Sequence, residues 1–201
     1  MTKLSYILQY TLDMMIVMII AIPFVVYIRF KSREKKSKVL INRWHEFGIM
    51  TLWVYLIGLF YETIVPKNGV SFQYAEMRLQ NLDSLGINFH LFRVFTDVYN
   101  AIHYLDLWQP FFINFLGNIA IFMPIGFLLP LLWRKMERFF IVLVTGLGLS
   151  LFIEIMQLPQ YRSTDVDDLW LNTLGAIIGF AIYKYLVKQI PNLRNRFKVF
   201  V

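Results

Sequence analysis

Between residues 107 and 133 the chain runs for 27 residues without a charged side chain. A helix crosses the hydrocarbon of a bilayer with about 20 mainly apolar residues, so this stretch is long enough to span. Four other stretches approach it. Residues 4–28 are interrupted only by Asp13, and residues 47–61 are charge-free and reach Val65 through Glu62. Residues 139–153 continue through Glu154 to Leu158, and residues 169–183 are extended by Lys184 and Lys188, whose stems can snorkel. The first stretch resembles a signal peptide, but it lacks a small-residue cleavage site and is followed by basic residues, so it reads as a retained span.

Composition agrees. The chain is 58% hydrophobic and 16% charged, against roughly 45–50% apolar and about 25% charged for soluble domains. A soluble enzyme and a disordered or coiled-coil chain are excluded. With no cysteine, disulfides, Cys-ligated metals and thiol nucleophiles are excluded as well. The expected fold is all-α, a polytopic membrane helical bundle of about five transmembrane helices with an external amphipathic segment. Residues 1–46 read as an N-terminal span and a basic cytoplasmic loop, 47–188 as the main transmembrane domain, and 189–201 as a basic cytoplasmic tail.

The net charge of +7 reads as membrane topology rather than nucleic-acid binding. Fifteen of the 20 basic residues fall between the first and second spans, between the third and fourth, and at or after the end of the fifth. With five crossings these groups share one side, which the positive-inside tendency makes cytoplasmic. The expectation is a multi-pass protein of the cell membrane, N-terminus outside and C-terminus cytoplasmic. Residues 66–106 and 159–168 then lie outside. The aromatic-rich stretch 87–95 is too apolar for a free loop, and is expected to lie on the interface or pack on the helix tops.

The chemistry concentrates in the last three spans. Asn114 and Asn118 are spaced i and i+4, Glu154 and Gln157 i and i+3, Asp168 and Asn172 i and i+4. All would sit in one outer-leaflet layer, where polar groups are costly and usually face a bundle interior. Each has a plainer counterpart. The asparagines can be interhelical glue. Asp165 has the position of an N-cap, and Asp167 or Asp168 suits the positive end of the following helix. Arg162 can balance the neighbouring acids. Glu154 stands out, because a helix C-terminus is unfavourable to an anion. Gly175 and Gly179 have small-xxx-small spacing, and Gly146 and Gly148 lighten the fourth span. Pro124 and Pro130 suggest a kink. His45, His90 and His103 have no metal-ligand spacing.

The pattern Asn114, Gly117, Asn118, Phe122, Pro124, Gly126 and Pro130, followed by Ser150, Glu154, Gln157, Arg162, Asp165, Asp167, Asp168, Asn172, Gly175 and Gly179, resembles the VanZ-like membrane protein family. That family is associated with resistance to teicoplanin and related lipoglycopeptides. The resemblance covers about residues 50–187. It departs where the family tends toward Asn-x-x-Pro-Phe, since Leu91 stands at the proline position. Residues 1–46 lie outside the shared core.

Two functional readings stand side by side. In the first, Asn114, Asn118, Glu154, Gln157, Arg162, Asp165, Asp168 and Asn172 bind a cell-envelope lipid or precursor, or a lipoglycopeptide, and alter its presentation so that glycopeptide binding falls. In the second, a membrane-embedded enzyme acts on a polyprenyl-linked envelope precursor. Glu154 is then the catalytic general acid or base, and Asp165 and Asp168 position the substrate or a divalent cation. The first needs no cofactor or metal. A transporter ranks third, for want of paired halves. The expected partners are the lipid bilayer and such an envelope molecule, with no nucleic acid.

Overall fold

The computed structural model of the protein describes residues 4–34, 42–66, 69–80, 87–88, 90–105, 108, 111–160 and 164–198. Among the described residues eight α-helices follow one another: α1 (Leu4–Glu34), α2 (Arg43–Ile64), α3 (Phe72–Gln80), α4 (Arg93–Leu105), α5 (Asn118–Leu132), α6 (Phe139–Gln157), α7 (Val166–Gln189) and α8 (Leu193–Phe197). A π-helical turn, Phe111–Gly117, leads into α5, and a 3-10 turn, Arg134–Glu137, separates α5 from α6. Among the described residues five helices are long and apolar enough to cross a membrane, over Thr11–Ser32, Arg43–Ile64, Asn114–Leu132, Phe139–Gln157 and Val166–Gln189. The protein is an all-α bundle of the expected kind. Helix α5 runs through Pro124 and Pro130 without interruption.

Helices α5 and α7 form the spine. Their backbones touch where glycine removes the side chain. A Cβ on Gly126 would collide with the Ala176 carbonyl, one on Gly175 with the Ile119 carbonyl, and one on Gly179 with the Met123 carbonyl. The spacing of Gly175 and Gly179 announces half of this seam, and Gly126 supplies the other half. Gly148, in contrast, faces open space. Around the seam, Leu59, Phe122, Ile125, Leu132, Val142, Ile153 and Tyr183 make a core shared by α2, α5, α6 and α7. Helix α1 is largely exposed and meets α2 where Met14 and Met18 lie over Gly58.

The segment between α2 and α5 is tied to the turn between α6 and α7. A two-residue parallel pair joins β1 (Ile87–Asn88) to β2 (Thr164–Asp165), with Ile87 opposite Thr164 and Asn88 opposite Asp165. An antiparallel bridge joins Val70 to Gln160. These pairings pack part of the segment on the helix ends.

The opposite end of the bundle is held by ions. Arg29 Nη2 lies 2.7 Å from Glu46. Arg194 grips Glu137 through two bonds of 2.9 and 2.7 Å, and the buried Lys198 pairs with the same carboxylate. Asn42 caps α2 by accepting from Trp44 N and His45 N. Its amide also donates to the Arg196 and Lys198 carbonyls at 2.8 and 3.1 Å. His45 Nδ1 donates to the Phe197 carbonyl at 2.7 Å. The basic tail thus folds back onto the bundle. Burial, with the Arg134 charge nearby, pushes the Lys198 ammonium down to about 8.

Candidate functional site

The site begins at the first turn of α7, where three aspartates divide three tasks. Asp165 sits in extended conformation and its side chain accepts from Asp167 N at 2.9 Å, a helix N-cap. Asp168, in the same first turn, faces α5 and accepts a hydrogen bond from Asn118 Nδ2. Asp167 is only 1% exposed and turns the other way. It accepts from Phe92 N at 2.6 Å, Val94 N at 2.7 Å and Trp170 Nε1 at 2.7 Å. One carboxylate therefore serves the positive starts of two helices, its own and α4, where the first N–H groups have no partner within the helix. Phe92 has φ of 67°, a left-handed conformation uncommon for a bulky residue. Its bond to Asp167 holds that turn in place.

Helix α6 contributes one face. Ser150, Glu154 and Gln157, at i, i+4 and i+7, are all buried. Asn172 Nδ2 donates to Ser150 Oγ at 2.9 Å, and Ser150 Oγ lies 3.4 Å from the Asp168 carbonyl. This string connects α6 to α7 at the level where Asn118 connects α5 to α7. The Asn172 Oδ1 atom is buried and has no partner among the described residues. Glu154, 5% exposed, stands one turn from Ser150 on the same face.

Gln157 plays a different part. Its Nε2 donates to the Thr63 carbonyl at 2.8 Å, and Gln160 Nε2 donates to the Ile64 carbonyl at 2.8 Å. These are the last carbonyls of α2, which lack partners within the helix. The two glutamines close that helix by bonds no local pattern reveals.

The sequence-predicted residues therefore divide. Asn118, Asp168 and Asn172 join one layer, with Ser150 between the last two and Glu154 beside it. Asp165 caps α7, and Gln157 is engaged with α2. Asn114 does not follow Asn118: it is exposed on the π-helical turn, where the wider winding ends before the α-helix of Asn118 begins. Arg162 lies outside the described residues. No group of three or more His, Asp or Glu is gathered for a metal ion among the described residues. Carboxylates and amides inside apolar helices can recognise ammonium, hydroxyl or amide N–H groups, and a buried carboxylate can move a proton.

The sequence profile of the VanZ/LLP1 family matches residues 52–188. The chain belongs to the VanZ/LLP1 family. Every residue of the polar layer lies inside the VanZ/LLP1 region, whereas α1 and the folded-back tail lie outside it. No curated protein and no solved structure matches the chain.

Proposed function

We propose that this VanZ-family protein uses the layer formed by Asn118, Ser150, Glu154, Asp168 and Asn172 to engage the polar head of a cell-envelope lipid or precursor, lowering the effective binding of a glycopeptide such as teicoplanin. One observation carries the reading: three membrane-length helices direct amides and carboxylates to one level of an otherwise apolar bundle, a costly arrangement. Carboxylates suit ammonium groups on the envelope molecule, and amides suit its peptide or sugar. The basic end faces the cytoplasm in this reading, which puts the layer at the external leaflet. The acyl tail of a lipoglycopeptide gains about 0.8 kcal/mol per buried methylene, so the encounter belongs at membrane level.

The test is Glu154→Gln against Glu154→Ala, expressed at equal level in a glycopeptide-susceptible host protected by the unaltered chain. Gln keeps shape and hydrogen-bonding reach, and is expected to retain part of the protection. Ala leaves a buried group unsatisfied at about 1–3 kcal/mol and is expected to lose most of it. Complete loss in well-inserted Gln protein would favour a proton-transfer role and a membrane enzyme. Full protection with Ala would remove Glu154 from the site.

A further inference from the structure

Helix α4 and the residue before it carry three stripes, one of which is aromatic and left more than half exposed. The first, Val94, Val98 and Ala101, turns toward the bundle, and Val94 and Ala101 are buried. A second, Arg93, Thr96, Asp97 and Asn100, is polar and exposed, with Arg93 and Asp97 paired at 3.4 Å. The third, Phe92, Phe95 and Tyr99, is aromatic, yet each residue is more than half exposed, at 53%, 52% and 58%. Water suits the polar stripe and the core suits the aliphatic one. Neither suits three aromatic rings on a single flank.

The position of that flank supplies the partner. Phe95 stacks on Trp170 of α7 with centroids 5.8 Å apart and meets Phe115 at 5.5 Å. Phe92 meets Trp170 at 5.5 Å. Both Trp170 and Phe115 belong to membrane-length segments, so the aromatic stripe continues the lateral surface of those spans. Its height is fixed as well, because Asp167 pins the start of α4 to the first turn of α7. Amphipathic aromatic rings concentrate at that boundary, where one edge is apolar and the other wet. We propose that α4 lies in the bilayer interface, with the Phe92, Phe95 and Tyr99 stripe among the lipid head groups and upper acyl chains. The Arg93, Thr96, Asp97 and Asn100 stripe then stays in water. The partner is a lipid surface, and the contact is independent of whatever the polar layer binds.

The absence of native cysteine makes the test direct. Single nitroxide labels go at positions 95, 96, 99 and 100 of the full chain in phosphatidylcholine–phosphatidylglycerol nanodiscs. Collision with oxygen relative to a water-soluble nickel chelate is expected to be several-fold higher at 95 and 99 than at 96 and 100. Equal ratios, with nickel reaching all four positions, would overturn the proposal. Poor access of both reagents to 95 and 99 would overturn it too, by showing protein, such as a second copy, over the stripe. A gentler pair guards against label damage. Tryptophan added as Phe95→Trp should be quenched by brominated lipid, whereas Thr96→Trp should not; equal quenching would also sink the assignment.

Discussion

Apart from the exposed Arg93–Asp97 pair, the described carboxylates at the two ends of the bundle are held by different kinds of partner. At the end formed by α8 and the turn between α5 and α6, carboxylates meet cations: Arg29 with Glu46, and Arg194 and Lys198 with Glu137. At the end where α7 begins, the bonds described for Asp167 and Asp168 come from backbone N–H groups, an indole and an amide. An ion pair closes on itself and leaves little for a ligand to exchange. The Asp167 bonds instead tie α4 to α7 through backbone groups, and the Asn118–Asp168 bond ties α5 to α7. Among the described bonds, one end is fastened ion to ion and the other carboxylate to neutral donor.

The largest effect should come from breaking the neutral-donor side. Asp167 behaves as a structural group there, so Asp167→Ala should cost about 3 kcal/mol by stranding the buried Val94 N–H and releasing the Phe92 turn. Thermal melting in detergent would register the loss, and limited proteolysis should open the chain around α4 first. Unchanged melting would move Asp167 into the recognition group.

Next comes the ionic end. Glu137→Ala should destabilise by up to about 3 kcal/mol, because Lys198 is left buried without its acid. The double change Glu137→Ala with Lys198→Met should recover most of that in the same melting assay. No recovery would mean that the pair acts through something besides its charge.

The smallest effect is a pH dependence. Lys198 titrates near 8 in the folded chain, below the ordinary 10.5. The unfolded chain therefore holds more protons between those values, and stability should rise as pH climbs from 8 to about 10.5. The rise should vanish in Lys198→Met, as melting at pH 7.5, 9 and 10 would reveal. A fall over that window would mean that the ion pair with Glu137 outweighs the burial of Lys198.

The spans were legible because uninterrupted apolar length is a property of the sequence itself. The Asp165 cap was legible for a similar reason, since a cap acts within three residues of its own position. Asp167 was not, because the N–H groups it accepts from lie 75 and 73 residues away. No local pattern encodes that distance. Gln157 and Gln160 had the same difficulty: their partners are backbone carbonyls, which every residue owns and none advertises. Lys198 reads as an ordinary tail lysine until α8 folds it against Tyr183 and Glu137. Asn114 shows the converse, since the α-helical spacing that paired it with Asn118 does not hold across a π-helical turn.

The glycine seam between α5 and α7 carries a mechanical consequence. Helices slide past one another by swapping side-chain rotamers at their contact, and that freedom is the basis of shear motion. At Gly126, Gly175 and Gly179 no side chain intervenes, so the two helices have nothing to re-mesh and travel as one lever. Asn118 rides on one and Asp168 on the other, which makes their separation a fixed gauge rather than a moving part. Ser150 and Glu154 are mounted on α6, off that lever, so among the three helices a change in the shape of the layer falls to α6.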